Sequence, residues 1–189
     1  EYFYVGSIMK RTVLWALAAI LAILLCTSCT EEILLPQPPD MDTMYKIGAE
    51  ITLDDFEAKA IIERHGEGKW TVSFEEPYAL SGLVLKADGG EISAELDGIT
   101  AAVTESEGYT GLMTVILSAL DNAAVGEGFQ LVTTDEIIRL SGKTEYGDYT
   151  LKFDRSSKSP VSLDIDGKNI KVEFSDMTEI SGDADAVLE

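Results

Sequence analysis

The chain has 189 residues and a formal net charge of −20 at pH 7, from 34 acidic and 14 basic side chains. A protein this acidic repels nucleic acid and anionic membrane surfaces. Its length fits one principal domain, and two cysteines are too few for a disulfide-rich scaffold.

The first element in chain order has the pattern of an export signal. Met9 is followed by two basic residues and then by an unbroken apolar run over 13–25. That run is shorter than the roughly 20 residues of a membrane-spanning helix. A basic start, a short apolar core and small residues after it are typical of a secretory signal. We therefore predict a lipoprotein-type signal peptide over 9–28, and we expect residues 1–8 to have no structural role.

Cys29 stands where bacterial lipoproteins carry their lipid anchor. Thr27 and Ser28 precede it and resemble the small positions of the bacterial lipobox, while Cys26 takes the place usually held by leucine. The resemblance implies cleavage after Ser28 and acylation of Cys29, which would anchor the protein to the extracytoplasmic side of the cell membrane. The alternative is an uncleaved anchor with two ordinary cysteines. A zinc or redox pair would need further ligands or a folded βα context, and the chain has no other cysteine.

Residues 29–44 are predicted to be a tether behind the acylated cysteine. Pro36, Pro38 and Pro39 favour extended polyproline geometry, so the stretch 30–42 within the tether spans about 40 Å at roughly 3.1 Å per residue. That length lifts a domain clear of the lipid headgroups. The apolar residues at 33–35 could instead dock on the domain, and the sequence leaves both possibilities open.

From Tyr45 onward the sequence predicts short strands joined by turns. Apolar and polar residues alternate, as they do in strands with one buried face, and a further strand is expected through residues 61–62. Asp-Gly pairs at 97–98 and 166–167 suit tight hairpin turns, so we predict an antiparallel meander. The apolar members of the alternating runs are Trp70, Val72, Phe74, Leu83, Leu85, Ile92, Ala94, Leu96, Tyr149, Leu151, Phe153, Val161, Leu163, Ile165, Ile170, Val172 and Phe174.

One segment, 110–125, has helical spacing instead. Leu112, Ile116 and Leu120 recur on one face, which predicts an amphipathic helix. About eight to ten strands covered by one helix would leave an apolar sheet face bare, and soluble proteins avoid this. The predicted fold class is therefore mostly β with one or two helices (α+β). We expect a curved antiparallel sheet over 45–182 that forms a half-barrel closed by the helix, with an acidic tail at 183–189.

The order of these elements resembles that of the LolA-like lipoprotein carrier fold. This group includes outer-membrane lipoprotein carriers and mycobacterial lipid-binding lipoproteins. The resemblance rests on a helix after ELDGITAAV (95–103), on the closing stretch SPVSLDIDGKNIKVEFSDMTEI (159–180), and on GKWTVSFEEPYALSGLVLK (68–86), which is similar to small lipoproteins of Gram-positive bacteria. It implies a hollow, curved sheet that holds acyl chains. This chain differs in having fewer helices and its own lipid anchor, so it would not shuttle between membranes as the soluble carriers do.

Motifs for catalysis are not found in the sequence. A G-x-S-x-G motif is absent, and the stretch 142–144 lacks the upstream glycine of a phosphate-binding loop because Ile137 stands there. His65 is the only histidine, and the acidic turn at 164–169 lacks the glycine of a calcium loop. We therefore expect no enzyme activity, no cofactor and no metal site.

Two hypotheses for the function follow. The first is a membrane-anchored extracytoplasmic lipoprotein that holds a lipid, or the acyl chain of a lipidated partner, inside the half-barrel; each buried methylene contributes roughly 0.8 kcal/mol. The second is a non-enzymatic scaffold or protein-binding module of the cell envelope with a filled core. Each candidate cavity residue would serve equally well as plain core. These residues are Trp70, Phe74, Leu83, Leu85, Leu96, Leu112, Ile116, Phe129, Leu131, Leu151 and Phe153.

Overall fold

The structure is a computed structural model that describes residues 39–103, 108–125 and 128–180, with helical side chains described from 111 onward. The predicted signal peptide, Cys29, most of the tether and the acidic tail lie outside the described residues. In the described part of the chain, no helix has both the length and the apolar character that a membrane crossing requires.

Eleven strands form one open, curved antiparallel sheet. The strands are β1 (Tyr45–Leu53), β2 (Phe56–Gly66), β3 (Lys69–Glu76), β4 (Val84–Asp88), β5 (Glu91–Leu96), β6 (Ile99–Val103), β7 (Gln130–Thr133), β8 (Ile137–Thr144), β9 (Gly147–Asp154), β10 (Pro160–Ile165) and β11 (Ile170–Glu179). One helix, α1 (Gly108–Val125), lies between β6 and β7 in the chain.

The sheet consists of two meanders joined at its centre. The strand order is β6-β5-β4-β3-β2-β1-β11-β10-β9-β8-β7. The join is the pairing of β1 with β11, from Tyr45 opposite Glu179 to Leu53 opposite Ile170. The first and last described strands are therefore neighbours in the middle, and the edges are β6 and β7, the two strands that flank α1 in sequence.

The predicted secondary structure is confirmed in its main lines. The described chain is mostly β with one helix, and that helix begins two residues before the predicted start and ends at the predicted residue. The alternation of apolar and polar residues does not mark the two edge strands, because β6 (ITAAV) and β7 (QLVT) are short. With these two edge strands the described sheet has eleven strands, where the sequence predicted about eight to ten.

The core lies on one face of the sheet, where α1 packs. Successive side chains of a strand point to opposite faces, and β1 follows this rule: Tyr45, Ile47, Ala49 and Ile51 are buried. The other face carries charged pairs, such as Lys46 with Glu63 at 3.2 Å. The sequence pattern thus decides which face of the sheet is apolar.

Candidate functional site

The candidate cavity residues lie mainly in this core. Leu83, Phe129 and Leu131 are partly buried and pack against it. Leu96 is 45% exposed and stands at the margin of the sheet. The other seven are buried, namely Trp70, Phe74, Leu85, Leu112, Ile116, Leu151 and Phe153. The structure thus gathers ten of the eleven in or against one core; their role in lining a ligand site remains a prediction.

Side chains fill the space between α1 and the centre of the sheet. Ile116 of the helix and Leu151, Phe153 and Leu163 of the sheet each have 0% of their surface exposed. Two surface hollows, of about 360 and 280 Å³, are bordered partly by charged side chains, Glu50 and Lys59 among them. These two hollows do not suit an acyl chain, because charged side chains border them.

A charged side chain that the sequence analysis did not single out, Arg64, is buried within this apolar face. It lies directly opposite Tyr45 on β1 and Trp70 on β3, and only 1% of its surface is exposed. Its Nη2 donates to Asp42 Oδ1 at 2.9 Å and its Nη1 donates to the Thr43 carbonyl at 3.2 Å. We call Tyr45, Arg64, Trp70 and Asp121 the Arg64 cluster.

The Arg64 cluster joins the helix to the first meander. Trp70 Nε1 donates to Asp121 Oδ2 at 2.7 Å, and Arg64 Nε lies 3.7 Å from Asp121 Oδ1. The guanidinium also lies over the indole of Trp70, 5.8 Å from the ring centroid. Among the described residues, Tyr45 Oη, Arg64 Nε and Asp121 Oδ1 are buried without a hydrogen-bond partner, so the cluster is incompletely satisfied.

The next helix residue, Asn122, ties the helix to the second meander. Tyr149 Oη, on β9, donates to Asn122 Oδ1 at 2.8 Å. Trp70 and Tyr149 belong to strands separated by β2, β1, β11 and β10. Two adjacent helix residues therefore fasten α1 to both halves of the sheet.

Burial governs the ionisation of these groups. It raises the pKa of Asp121, against the opposing effect of hydrogen bonds from Trp70 and the Gly68 amide and of the Arg64 charge. Burial likewise raises the pKa of Tyr149 to about 12 and moves the pKa of Tyr45 further upward. Both tyrosines are therefore neutral at physiological pH, and the Tyr149 hydroxyl donates to Asn122.

The raised pKa of Asp121 predicts a measurable titration. Because the folded-state pKa of Asp121 lies above the ordinary value of 3.8, the folded protein binds more protons than the unfolded chain at pH values between the two pKa values. Protonation thus stabilises the fold at acid pH, and this contribution is lost as the pH rises through the raised pKa. With Trp15 replaced by phenylalanine, the emission of Trp70 should titrate with a midpoint above 3.8, and Asp121→Asn should remove the transition. A midpoint at or below that value would contradict this prediction.

Tyr149 reaches Asn122 because the residue beside it on β8 is glycine. Gly142 pairs with Tyr149, and a Cβ at position 142 would lie 2.6 Å from Tyr149 Cζ. Gly142→Ala should therefore lower the free energy of unfolding by about 1–3 kcal/mol, the usual effect of overpacking, as measured by urea denaturation. Gly48→Ala is the matched control, because its nearest atom is the rotatable Ser175 hydroxyl. Equal effects of the two substitutions would refute the role given to Gly142.

A signal for Arg64 was present in the sequence. Ala60, Ile62 and Arg64 are alternate residues of β2 and lie on the same face, so the alternation that buries the first two also buries the arginine. The partners Asp42, Asp121 and Tyr149 come from distant parts of the chain, and their convergence depends on the fold. The described residues contain no group of three or more histidine, cysteine, aspartate or glutamate side chains placed to hold a metal ion.

Comparison with known proteins finds similar structures and no match in sequence. No family model matches it, and no curated protein matches it in sequence. Similar solved structures include an uncharacterised conserved protein from Thermus thermophilus (12% identity, 74% of this chain and 80% of that one, TM-score 0.45). Another is a LolA superfamily protein from Nitrosomonas europaea (12%, 77% and 88%, TM-score 0.39). A third is the lipoprotein LppX of Mycobacterium tuberculosis (13%, 72% and 87%, TM-score 0.34). Two of these structures bear names from the group that the sequence resembles, and the likeness concerns the fold alone.

Proposed function

We propose that this protein is a membrane-anchored, extracytoplasmic and non-enzymatic lipoprotein that binds an acyl chain in a half-barrel. In this proposal the curved sheet is the half-barrel, and α1 is its lid. The acyl chain enters the space that the lid fills in the present structure. The ligand is a lipid or the acyl part of a lipidated partner.

The burial of the lid supports a sheet that wraps around it. Eight residues of α1 are buried, and at 100° per residue they cover about 200° of the helix surface. A helix resting on a flat surface needs an apolar stripe of little more than 100°. The wider arc, together with the hydrogen bonds to β3 and β9, favours a half-barrel. The eight residues are Leu112, Met113, Val115, Ile116, Leu117, Ala119, Leu120 and Ala123.

The apolar composition of the lid is the observation that carries the proposal. Between Gly108 and Val125, Asp121 is the only charged residue, and the adjacent Asp121 and Asn122 accept the hydrogen bonds from Trp70 and Tyr149 of the sheet. The buried face of the lid is otherwise built from apolar side chains, whose contacts are largely non-directional. An acyl chain could replace the lid against the sheet with little change in apolar burial, since the hydrophobic effect scales with area.

The anchor is supported by the sequence. The apolar run before Cys29, the small residues at 27–28 and the proline-rich stretch after it together suit an acylated, tethered protein. A tether of about 40 Å keeps the half-barrel within reach of the membrane that would supply the lipid.

A filled core favours a second candidate function. Ile116, Leu151, Phe153 and Leu163 are fully buried, as expected if the core is permanently closed. The protein would then be a scaffold or protein-binding module of the cell envelope. The two candidates differ in one property, namely whether the lid leaves the sheet.

Tyr149→Phe tests this difference. The substitution removes the hydroxyl that donates to Asn122 and keeps the ring, so it should cost about 0.5–1.5 kcal/mol of lid closure. The rate at which a fluorescent fatty acid enters the protein should rise between about twofold and tenfold. Tyr78→Phe, at a residue that is 96% exposed, is the control and should not change the rate. A fatty acid that fails to bind either protein would favour the filled core.

A further inference from the structure

The edge strand β6 is the most exposed strand of the sheet. Four of its five residues are exposed, and Ile99 shows 74% of its surface. It ends the sheet order, so within the described chain only β5 pairs with it. The strand contains no charged residue and no proline. It pairs with β5 without a bulge, from Ile99 opposite Leu96 to Val103 opposite Ile92. Charges, prolines and bulges are the devices with which proteins protect an edge, and β6 lacks them.

The turn before β6 determines which backbone groups are free. Asp97 and Gly98 have positive φ angles, 51° and 79°, as in the two-residue type I′ hairpin turn. In such a hairpin Leu96 and Ile99 form the first hydrogen-bonded pair. Hydrogen-bonded pairs alternate along an antiparallel ladder, so the amide and carbonyl groups of Thr100 and Ala102 point away from β5. Among the residues that the structure describes, these four backbone groups are thus available to another strand.

The surroundings of β6 are acidic. Strands β4 to β6, with their turns, carry one lysine, Lys86, and four carboxylates. Lys86 is paired with Glu95 at 2.9 Å. A hollow of about 640 Å³, bordered by Asp88, Glu91 and Ala102 among others, lies beside the end of β6. Lys86 also borders the hollow, and Asp88 is paired with Lys69 at 3.7 Å. Glu91 has no ion pair among the described residues, so the hollow has room for a long side chain and a carboxylate that favours a positive charge on it.

We propose that β6 binds an extended, basic segment of a partner protein by β-strand addition. The backbone of Thr100 and Ala102 supplies the hydrogen bonds, and the carboxylates around the hollow select lysine or arginine. A second copy of this chain is a poorer occupant, because it would bring the same acidic strands against this edge. The proposal is independent of acyl binding.

Fluorescence anisotropy with a labelled synthetic peptide tests the proposal. The peptide alternates threonine and valine over ten residues and has two lysines at each end; its comparator has glutamates in place of the lysines. The full chain, held in non-ionic detergent, should bind the lysine peptide. It should bind the glutamate peptide at least about tenfold more weakly. Absence of lysine-peptide binding at millimolar concentration, or equal binding of both peptides, would overturn the proposal.

Ala102→Pro separates edge pairing from non-specific attraction. Proline removes the outward-pointing amide and is tolerated at such edge positions, so β5 pairing should persist while peptide affinity falls about tenfold. Ala102→Thr keeps the amide and should bind like the native chain. If the proline variant does not fold, a lysine peptide N-methylated at alternate residues replaces it and should not bind. Unchanged lysine-peptide affinity of Ala102→Pro, unchanged binding of the N-methylated peptide, or a dimer of the chain that Ala102→Pro dissociates would each count against a partner at this edge.

Discussion

Arg64→Ala is expected to lower the free energy of unfolding by about 3 kcal/mol, the lower end of the range for breaking a buried ion pair, because Arg64 is buried and its partner Asp121 is only partly so. The substitution leaves Asp121 without the guanidinium 3.7 Å away. It also removes the group that packs over Trp70. Because Asp121 is one of the two residues that tie the lid to the sheet, the loss should extend to the lid. Urea denaturation followed by the emission of Trp70 measures it.

A double substitution provides the control for Arg64. Replacing Arg64 by methionine and Asp121 by asparagine removes both charges and keeps an amide oxygen that accepts the hydrogen bond from Trp70 Nε1. Buried ion pairs replaced in this way often cause little loss of stability, so the double variant should be more stable than Arg64→Ala. If Arg64→Ala costs less than about 1 kcal/mol, the range of an exposed ion pair, the Arg64 cluster does not hold the lid.

Phe153→Ala is expected to have a similarly large effect, about 3–5 kcal/mol. Phe153 is fully buried on β9 and pairs across the sheet with Ile138, beneath the lid. The cavity left behind has an apolar lining, so a long-chain fatty acid should stabilise this variant more than it stabilises the native protein. Thermal unfolding with and without oleate measures both effects.

The matched control for Phe153 lies on the neighbouring exposed edge. Val132 on β7 is 56% exposed, and Val132→Ala should change stability by no more than about 0.5 kcal/mol and should show no special response to oleate. A Phe153→Ala variant as stable as the native protein would mean that this part of the core does not support the lid.

The period-2 pattern predicted the buried face of most long strands, whereas Val161 on β10 is 40% exposed beside a register shift between Pro160 and Ser162. Trp70 and Phe74 on β3, and Leu151 and Phe153 on β9, follow it because alternation and burial have the same physical origin in strands. Leu96 follows the pattern yet is exposed, since it lies next to the edge strand and few neighbours cover it. A local pattern identifies the face of a strand, whereas coverage depends on the position of the strand in the sheet.

The Arg64 cluster could be predicted only in part. The parity of β2 places Arg64 on the apolar face, but its partners come from the segment before β1 and from α1. The approach of Tyr149 to Asn122 depends on Gly142 in a different strand. Such contacts arise from strand order, and one sequence does not specify strand order through any local signal.

Native mass spectrometry tests the central claim of acyl binding most directly. Residues 36–189, which form one compact unit of the chain, would be purified without detergent and measured before and after extraction with organic solvent. We expect a bound species of lipid mass that the extraction removes and that returns on incubation with phospholipid vesicles. A protein that has only its own mass at every stage, including after that incubation, would contradict the acyl-binding half-barrel and favour the filled core.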